Sequence, residues 1–352
     1  MTELIRCARD LGASDLHLST GEVPLLRIDG ALQRLPAGAA LSAAQVESML
    51  QPLFSPALRR AWIGGADVDC AWEAPGLGRL RVHAYRHRRG PGAALRLVAS
   101  TVRSLEDLGA PPVLGRWALQ PRGLVLCTGP TGSGKSTLLA AMVRHRLALR
   151  ADHVLTLEDP IEFIHEGQRG LITQREVGRQ AEGFATALRS ALRQDPDVIL
   201  VGELRDPDSI RLALTAAETG HLVLGTLHAS SAHQAVDRLV DAFPAQEKEL
   251  ARAMLAESLL GVVAQVLCRR RDGAADAAPA AGRIAALEIL SATPAVRHLI
   301  REHKVAQLVS VMQSGHAHGM QTLDQHLGML VREGLISPDE AQLHAHHPET
   351  LT

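Results

Sequence analysis

Leu124-Val125-Leu126-Cys127-Thr128-Gly129-Pro130-Thr131-Gly132-Ser133-Gly134-Lys135-Ser136-Thr137 joins a short apolar run to a glycine-rich loop that ends in a lysine. Four successive apolar residues, Leu124 to Cys127, suit a strand covered on both faces. The loop Gly129 to Ser136 satisfies GxxxxGK[ST], and a helix is predicted over 137–149. Glycines let the backbone turn so that successive N–H groups face phosphate oxygens, and the helix N-terminus adds its dipole. In that arrangement Lys135 neutralises β/γ-phosphate charge and the Ser136 hydroxyl coordinates Mg2+. Gly129, Pro130, Thr131, Gly132, Ser133, Gly134, Lys135, Ser136 and Thr137 are therefore the candidate ATP-binding residues. Of the chain's 37 basic residues only Lys135, Lys248 and Lys304 are lysines, and one of the three stands in this loop.

Outward from the loop, similar apolar runs recur at 154–157, 198–201 and 222–224, with helical stretches between them. This is the pattern of an α/β domain with a largely parallel sheet. In such a sheet ligands sit at the carboxyl ends of the strands. Glu203 follows the run 198–201 and is the candidate that orients and activates the attacking water. Gly202 stands where many ATP-hydrolysing loop proteins carry a magnesium-associated Asp. Glu158, Asp159 and Glu162 follow another apolar run. They read either as a second shell to Mg2+ and water, with Glu158 the metal-associated carboxylate, or as an acidic proline-containing turn. His221 and His228 flank the run 222–227, too far apart along an extended strand for a shared metal site. Each reads singly as a γ-phosphate sensor or as a hydrogen-bonding core histidine.

Residues 1–100 read as a small α+β unit. Leu16 and Leu18 alternate with His17 and Ser19, Leu25–Ile28 leads through Asp29-Gly30 into a hairpin, and Ser42 is placed to cap a helix running to about Leu53. Over 79–85, Leu80, Val82 and Ala84 share one strand face and Arg79, Arg81, His83 and Tyr85 the other. Over 93–98 Arg96 points away from Leu95 and Leu97, and the basic segment Arg86–Gly92 reads as a solvated connection. Leu105 to Trp117 reads as a linker, 272–282 as a solvated alanine-rich loop, and the chain beyond 282 as mostly helical.

The 352 residues suggest two or three domains. A net charge of −1 leaves no global field to recruit nucleic acid or an anionic membrane, and aromatic residues at 2% offer few rings for stacking bases. Both facts weigh against a RecA-like DNA translocase or helicase. Cys7, Cys70, Cys127 and Cys268 form no CxxC pair, so neither a zinc site nor a disulfide framework is expected. No signal core and no run of about 18 apolar residues occurs. The expectation is a soluble cytoplasmic protein with no nucleic-acid partner and no direct membrane insertion.

Taken in chain order, these features resemble the ring-forming ATPases of type II secretion and type IV pili, and in particular their pilus-retraction branch. The resemblance is carried by Gly12–Ser19, Gly123–Thr137, Leu157–Phe163, Ala187–Asp206, Ala216–His228, Pro294–Glu302, Lys304–Gln307 and Gly319–Asp324. It implies a PAS-like α+β domain over 1–100, a linker over 101–117, a RecA-like ATPase core over 118–283 and a C-terminal helical segment over 284–352. It implies a homo-hexamer at the cytoplasmic face of the inner membrane, acting on an inner-membrane pilus platform protein, with an accessory retraction ATPase as a possible partner or as an alternative identity. It assigns Glu203 as catalytic glutamate, Glu162 as acidic-box carboxylate, and His221 and His228 as histidine-box residues. Arg81 and Arg96 become arginines that reach nucleotide at a subunit boundary, unless they are simply a solvated strand face. The extra N-terminal domain and four-cysteine module of assembly ATPases are not expected here.

Overall fold

The computed structural model describes residues 1–28, 30–35, 38–74, 76–98, 102–271 and 282–351. Asp29 of the expected hairpin turn and all but the last residue of the alanine-rich stretch 272–282 lie outside the described residues. The chain divides into two compact units, Met1–Thr101 and Val102–Thr352.

The first unit carries helices α1 (Thr2–Asp10), α2 (Ala43–Leu50) and α3 (Pro56–Ile63), and strands β1 (Asp15–Ser19), β2 (Leu25–Ile28), β3 (Ala31–Arg34), β4 (Val68–Ala74), β5 (Gly78–His87) and β6 (Gly90–Leu97). The strands form an antiparallel sheet in the order β3-β2-β1-β6-β5-β4. Alternation decides its faces. Leu16, Leu18, Leu80, Val82, Ala84 and Leu95 are fully buried beside Ile5 and Trp62. Ser42 starts α2 through a reciprocal capping box with Gln45. The basic connection is shorter than expected, because β5 and β6 pair up to His87 and Gly90. Two of its arginines are also engaged: the Arg86 guanidinium lies 4.3 Å over the Trp62 ring, and Arg89 pairs with Glu22 at 2.9 Å.

The second unit begins with α4 (Pro112–Ala118), inside the stretch read as a linker, and Leu105, Val113, Leu114 and Trp117 join the hydrophobic core. Then come β7 (Gly123–Thr128), α5 (Lys135–Leu149), β8 (His153–Glu158), β9 (Leu171–Glu176), α6 (Phe184–Ala191), β10 (Val198–Val201), α7 (Pro207–Glu218), β11 (Leu222–Leu227), α8 (Ala232–Asp241), α9 (Lys248–Ser258), β12 (Leu259–Arg269) and β13 (Arg283–Ser291). Helices α10 (Pro294–Arg301), α11 (Leu308–Ser314), α12 (Leu323–Arg332) and α13 (Pro338–His344) follow. The sheet order is β13-β12-β7-β11-β10-β8-β9, parallel except for the β12–β13 pair. Its central strands are covered on both sides. Val125, Cys127, Val154, Val198 and Leu224 face α4 and α5, while Leu124, Leu126, Leu155, Ile199 and Val223 face the opposite core. The strand over 283–291 corrects the helical reading of the chain beyond 282. A mostly apolar run such as Ile284–Leu290, interrupted only by Glu288, has no periodicity that separates strand from helix, and pairing with β12 decides it.

Candidate functional site

The parallel register brings the carboxyl ends of β7, β8, β10 and β11 to one edge, with Thr128, Leu157, Val201 and Leu227 closing their ladders there. The loop 129–134 leaves β7 at that edge and enters α5. Gly129, Gly132 and Gly134 have φ of 138°, 79° and 92°, a region that favours glycine. Gly129 is also sterically required, since a Cβ there would lie 2.3 Å from the Gln265 carbonyl oxygen on β12. Lys135 Nζ donates to the carbonyls of Gly129 and Pro130 at 2.8 and 2.9 Å, so its charge lies within the loop. Burial lowers the Lys135 pKa, against the pull of Cys127, Glu203 and Glu162.

A cavity of about 500 Å³ opens over this edge and is lined by Lys135, Ser136, Glu158, Glu162, Glu203 and His228, among others. Glu203 is mostly buried. Its Oε1 lies 2.6 Å from Arg205 Nε and 3.3 Å from His228 Nε2, so a cation and an imidazole hold one carboxylate oxygen. The segments beneath are tied together. Thr128 Oγ1 donates to the Ala229 carbonyl at 2.8 Å and accepts from the Ala229 N–H at 2.7 Å. Thr226 Oγ1 donates to the Gly202 carbonyl, and Arg238 donates to the His228 carbonyl.

Glu158 ends β8 with both oxygens engaged: Oε1 accepts from Thr156 at 2.6 Å and Gln174 at 3.1 Å, and Oε2 from the Glu162 N–H at 3.5 Å. Burial raises its pKa, with those donors opposing. The side chain is therefore committed to holding the turn 158–162, which suits an outer position around a metal better than direct ligation. The oxygen-rich set of Ser136, Glu162 and Glu203 fits a hard cation such as Mg2+.

His221 is not brought to this cavity. It sits at the amino end of β11, where its carbonyl accepts from Gly123 N and its Nδ1 contacts the Ala216 carbonyl oxygen at 3.1 Å. That is the length of the strand, roughly 20 Å, from His228. Within their own unit, Arg81 and Arg96 are cross-strand partners on the outer sheet face. Arg96 Nε bonds Asp15 Oδ1 at 2.9 Å. Burial pushes the Asp15 carboxyl up, but the Ser14 hydroxyl and Arg96 outweigh it and hold the pKa below its ordinary value. Gln265, on a strand not anticipated from the sequence, was missed. The only signal for it was its place in the apolar run Val262–Val266.

The family model for type II/IV secretion system proteins matches residues 78–342. The type IV pilus retraction ATPase PilT of Pseudomonas aeruginosa is 50% identical over 351 residues, covering 100% of this chain and 99% of the relative. A twitching motility protein of Neisseria gonorrhoeae is 50% identical over 329 residues, covering 94% and 86%. Among solved structures, that of the pilus retraction motor PilT with bound ADP superposes with a TM-score of 0.90 at 38% identity, covering 99% of this chain and 98% of that one.

Proposed function

Because this chain belongs to the type II/IV secretion system protein family, we propose that its ATPase activity powers type IV pilus retraction and twitching motility. The observation that carries the catalytic part is the Glu203 carboxylate, held by Arg205 and His228 across one cavity from Lys135. Lys135 neutralises charge on the β- and γ-phosphates, and the loop amides 129–136 orient them. Glu203 accepts the proton of the water that attacks the γ-phosphorus, and His228 positions that carboxylate. Ser136 would hold Mg2+, with Glu162 and, further out, Glu158 organising water beside it; the ion would supply charge neutralisation on the phosphate oxygens. Replacing Glu203 by Gln keeps shape and ATP binding but removes the base. Turnover then falls by roughly 10²–10⁴-fold with nucleotide affinity nearly unchanged. Unchanged turnover in that variant overturns the assignment.

The working form is a homo-hexamer at the cytoplasmic face of the inner membrane. In it, Arg81 and Arg96 of one subunit reach the nucleotide of a neighbour, and differential affinity of two arrangements for ATP and its products drives the cycle. The load is a platform protein of the pilus machine, with an accessory retraction ATPase as an optional partner. Support comes from the full-length likeness to the retraction ATPase. No described helix is long and apolar enough to cross a membrane. Deleting the gene leaves cells with more surface pili and no twitching if the motor retracts; fewer pili indicate extension instead.

A further inference from the structure

Cys268, Glu340 and His344 meet at the C-terminal end of the second unit, and one ligand atom from each lies within 4.8 Å of the others. Cys268 is the penultimate residue of β12, fully buried, and its direction is set by pairing with Ile284 of β13. Glu340 and His344 stand one turn apart on α13 and so share a face. The Glu340 carboxylate is already aimed: it accepts the Arg269 N–H, next in chain to Cys268, at 2.6 Å, while Ser337 Oγ caps its own backbone N–H at 3.2 Å. His344 Nε2 lies 3.3 Å from Glu340 Oε1. Packing against Leu327 and Leu330 accounts for a buried cysteine. It does not account for a sulfur that shares its corner with an oriented carboxylate and an imidazole.

We propose that Cys268, Glu340 and His344 form a divalent-metal site, suited to Zn2+, that staples α13 to β12. Thiolate, imidazole and carboxylate together are a zinc donor set, and three protein ligands leave one tetrahedral position for water. Bond lengths of about 2.0–2.3 Å place neighbouring ligand atoms roughly 3.5 Å apart, within reach of small side-chain rotations. On binding, the S–H bond breaks, a Zn–S bond forms and the proton leaves to solvent; nothing is oxidised or reduced, and acid competes with the metal. The staple also bears on the ATP site, because β12 supplies the Gln265 carbonyl against which Gly129 packs.

The test uses the full chain, stripped of metal and titrated with Co2+. The expected result is one equivalent per chain with a thiolate-to-cobalt charge-transfer band in the near ultraviolet, displaced by Zn2+. Cys268→Ser abolishes the band, and Cys7→Ser, at a cysteine outside the cluster, keeps it. Because Cys268 lies in the core, His344→Ala provides the second reading from a part-exposed position. It leaves the circular dichroism spectrum unchanged and weakens Co2+ binding by at least about tenfold. No band in the wild-type chain, a band that survives Cys268→Ser, or undiminished affinity in His344→Ala each overturns the proposal.

Discussion

Gly202 shows how a single residue is settled by its neighbours. Its place in the sequence is one where many ATP-hydrolysing loop proteins carry a metal-associated Asp, a departure that the family resemblance implies is no defect. In the structure a Cβ there would lie 3.1 Å from the Leu157 carbonyl oxygen and 3.3 Å from the Glu158 Cα, so the β8 end leaves little room for a side chain. Gly202→Asp is expected to cost about 1–3 kcal/mol in stability, measured by denaturant unfolding, without adding activity. His165 is a second case, legible as a residue but not as an environment. Its imidazole is buried, Nδ1 has no hydrogen-bond partner among the described residues, and burial lowers its pKa to about 4. With the folded value below the unfolded one of about 6.5, the unfolded chain takes up the proton first. Stability is therefore full above pH 6.5 and falls as pH drops toward 4, by up to about 3 kcal/mol from this group. Unfolding midpoints measured across that window should show a shallower slope in His165→Met.

At the scale of elements, the runs 124–127, 154–157, 198–201 and 222–224 were legible because strands covered on both faces are continuously apolar. Strands β9, β12 and β13 were not. β9 is an edge strand of mixed composition, Leu-Ile-Thr-Gln-Arg-Glu, and β12 and β13 are apolar runs whose type is decided by their pairing with each other and with β7. The segment after α4 is held by Arg146, buried on α5, which bonds Asp152 at 2.6 Å and the Ala118 and Gln120 carbonyls at 3.0 and 2.6 Å. Truncating Arg146 leaves the Ala118 and Gln120 carbonyls without that donor and removes one of the two cations on the buried Asp152 carboxylate. Arg146→Ala is expected to destabilise the unit by about 3 kcal/mol or more, read as a lower denaturant midpoint, although Arg150 still pairs with Asp152.

At the scale of the whole molecule, the proposed ring makes a prediction that no single unit makes. Arg96→Ala should slow ATP hydrolysis in the assembled oligomer while leaving nucleotide affinity of the dissociated chain and the circular dichroism spectrum unchanged. An effect that persists at concentrations too low for assembly would assign Arg96 to its own subunit's stability, through Asp15, instead. What the sequence determined alone was local chemistry carried by contiguous residues: the loop 129–136, the apolar runs that demand a covered sheet, Glu203 at a strand's end, and the alternation that separates Arg81 and Arg96 from Leu80, Val82 and Leu95. What only the tertiary structure decided was which distant segments share a space. It placed His228 on Glu203 and His221 at the far end of the same strand, drew both Glu158 oxygens into bonds with neighbouring residues, and set Cys268 beside Glu340 and His344, 72 and 76 positions further along the chain. The physical reason is that backbone periodicity reports which way a side chain points, whereas strand order and register, set by packing of the whole core, report what it meets.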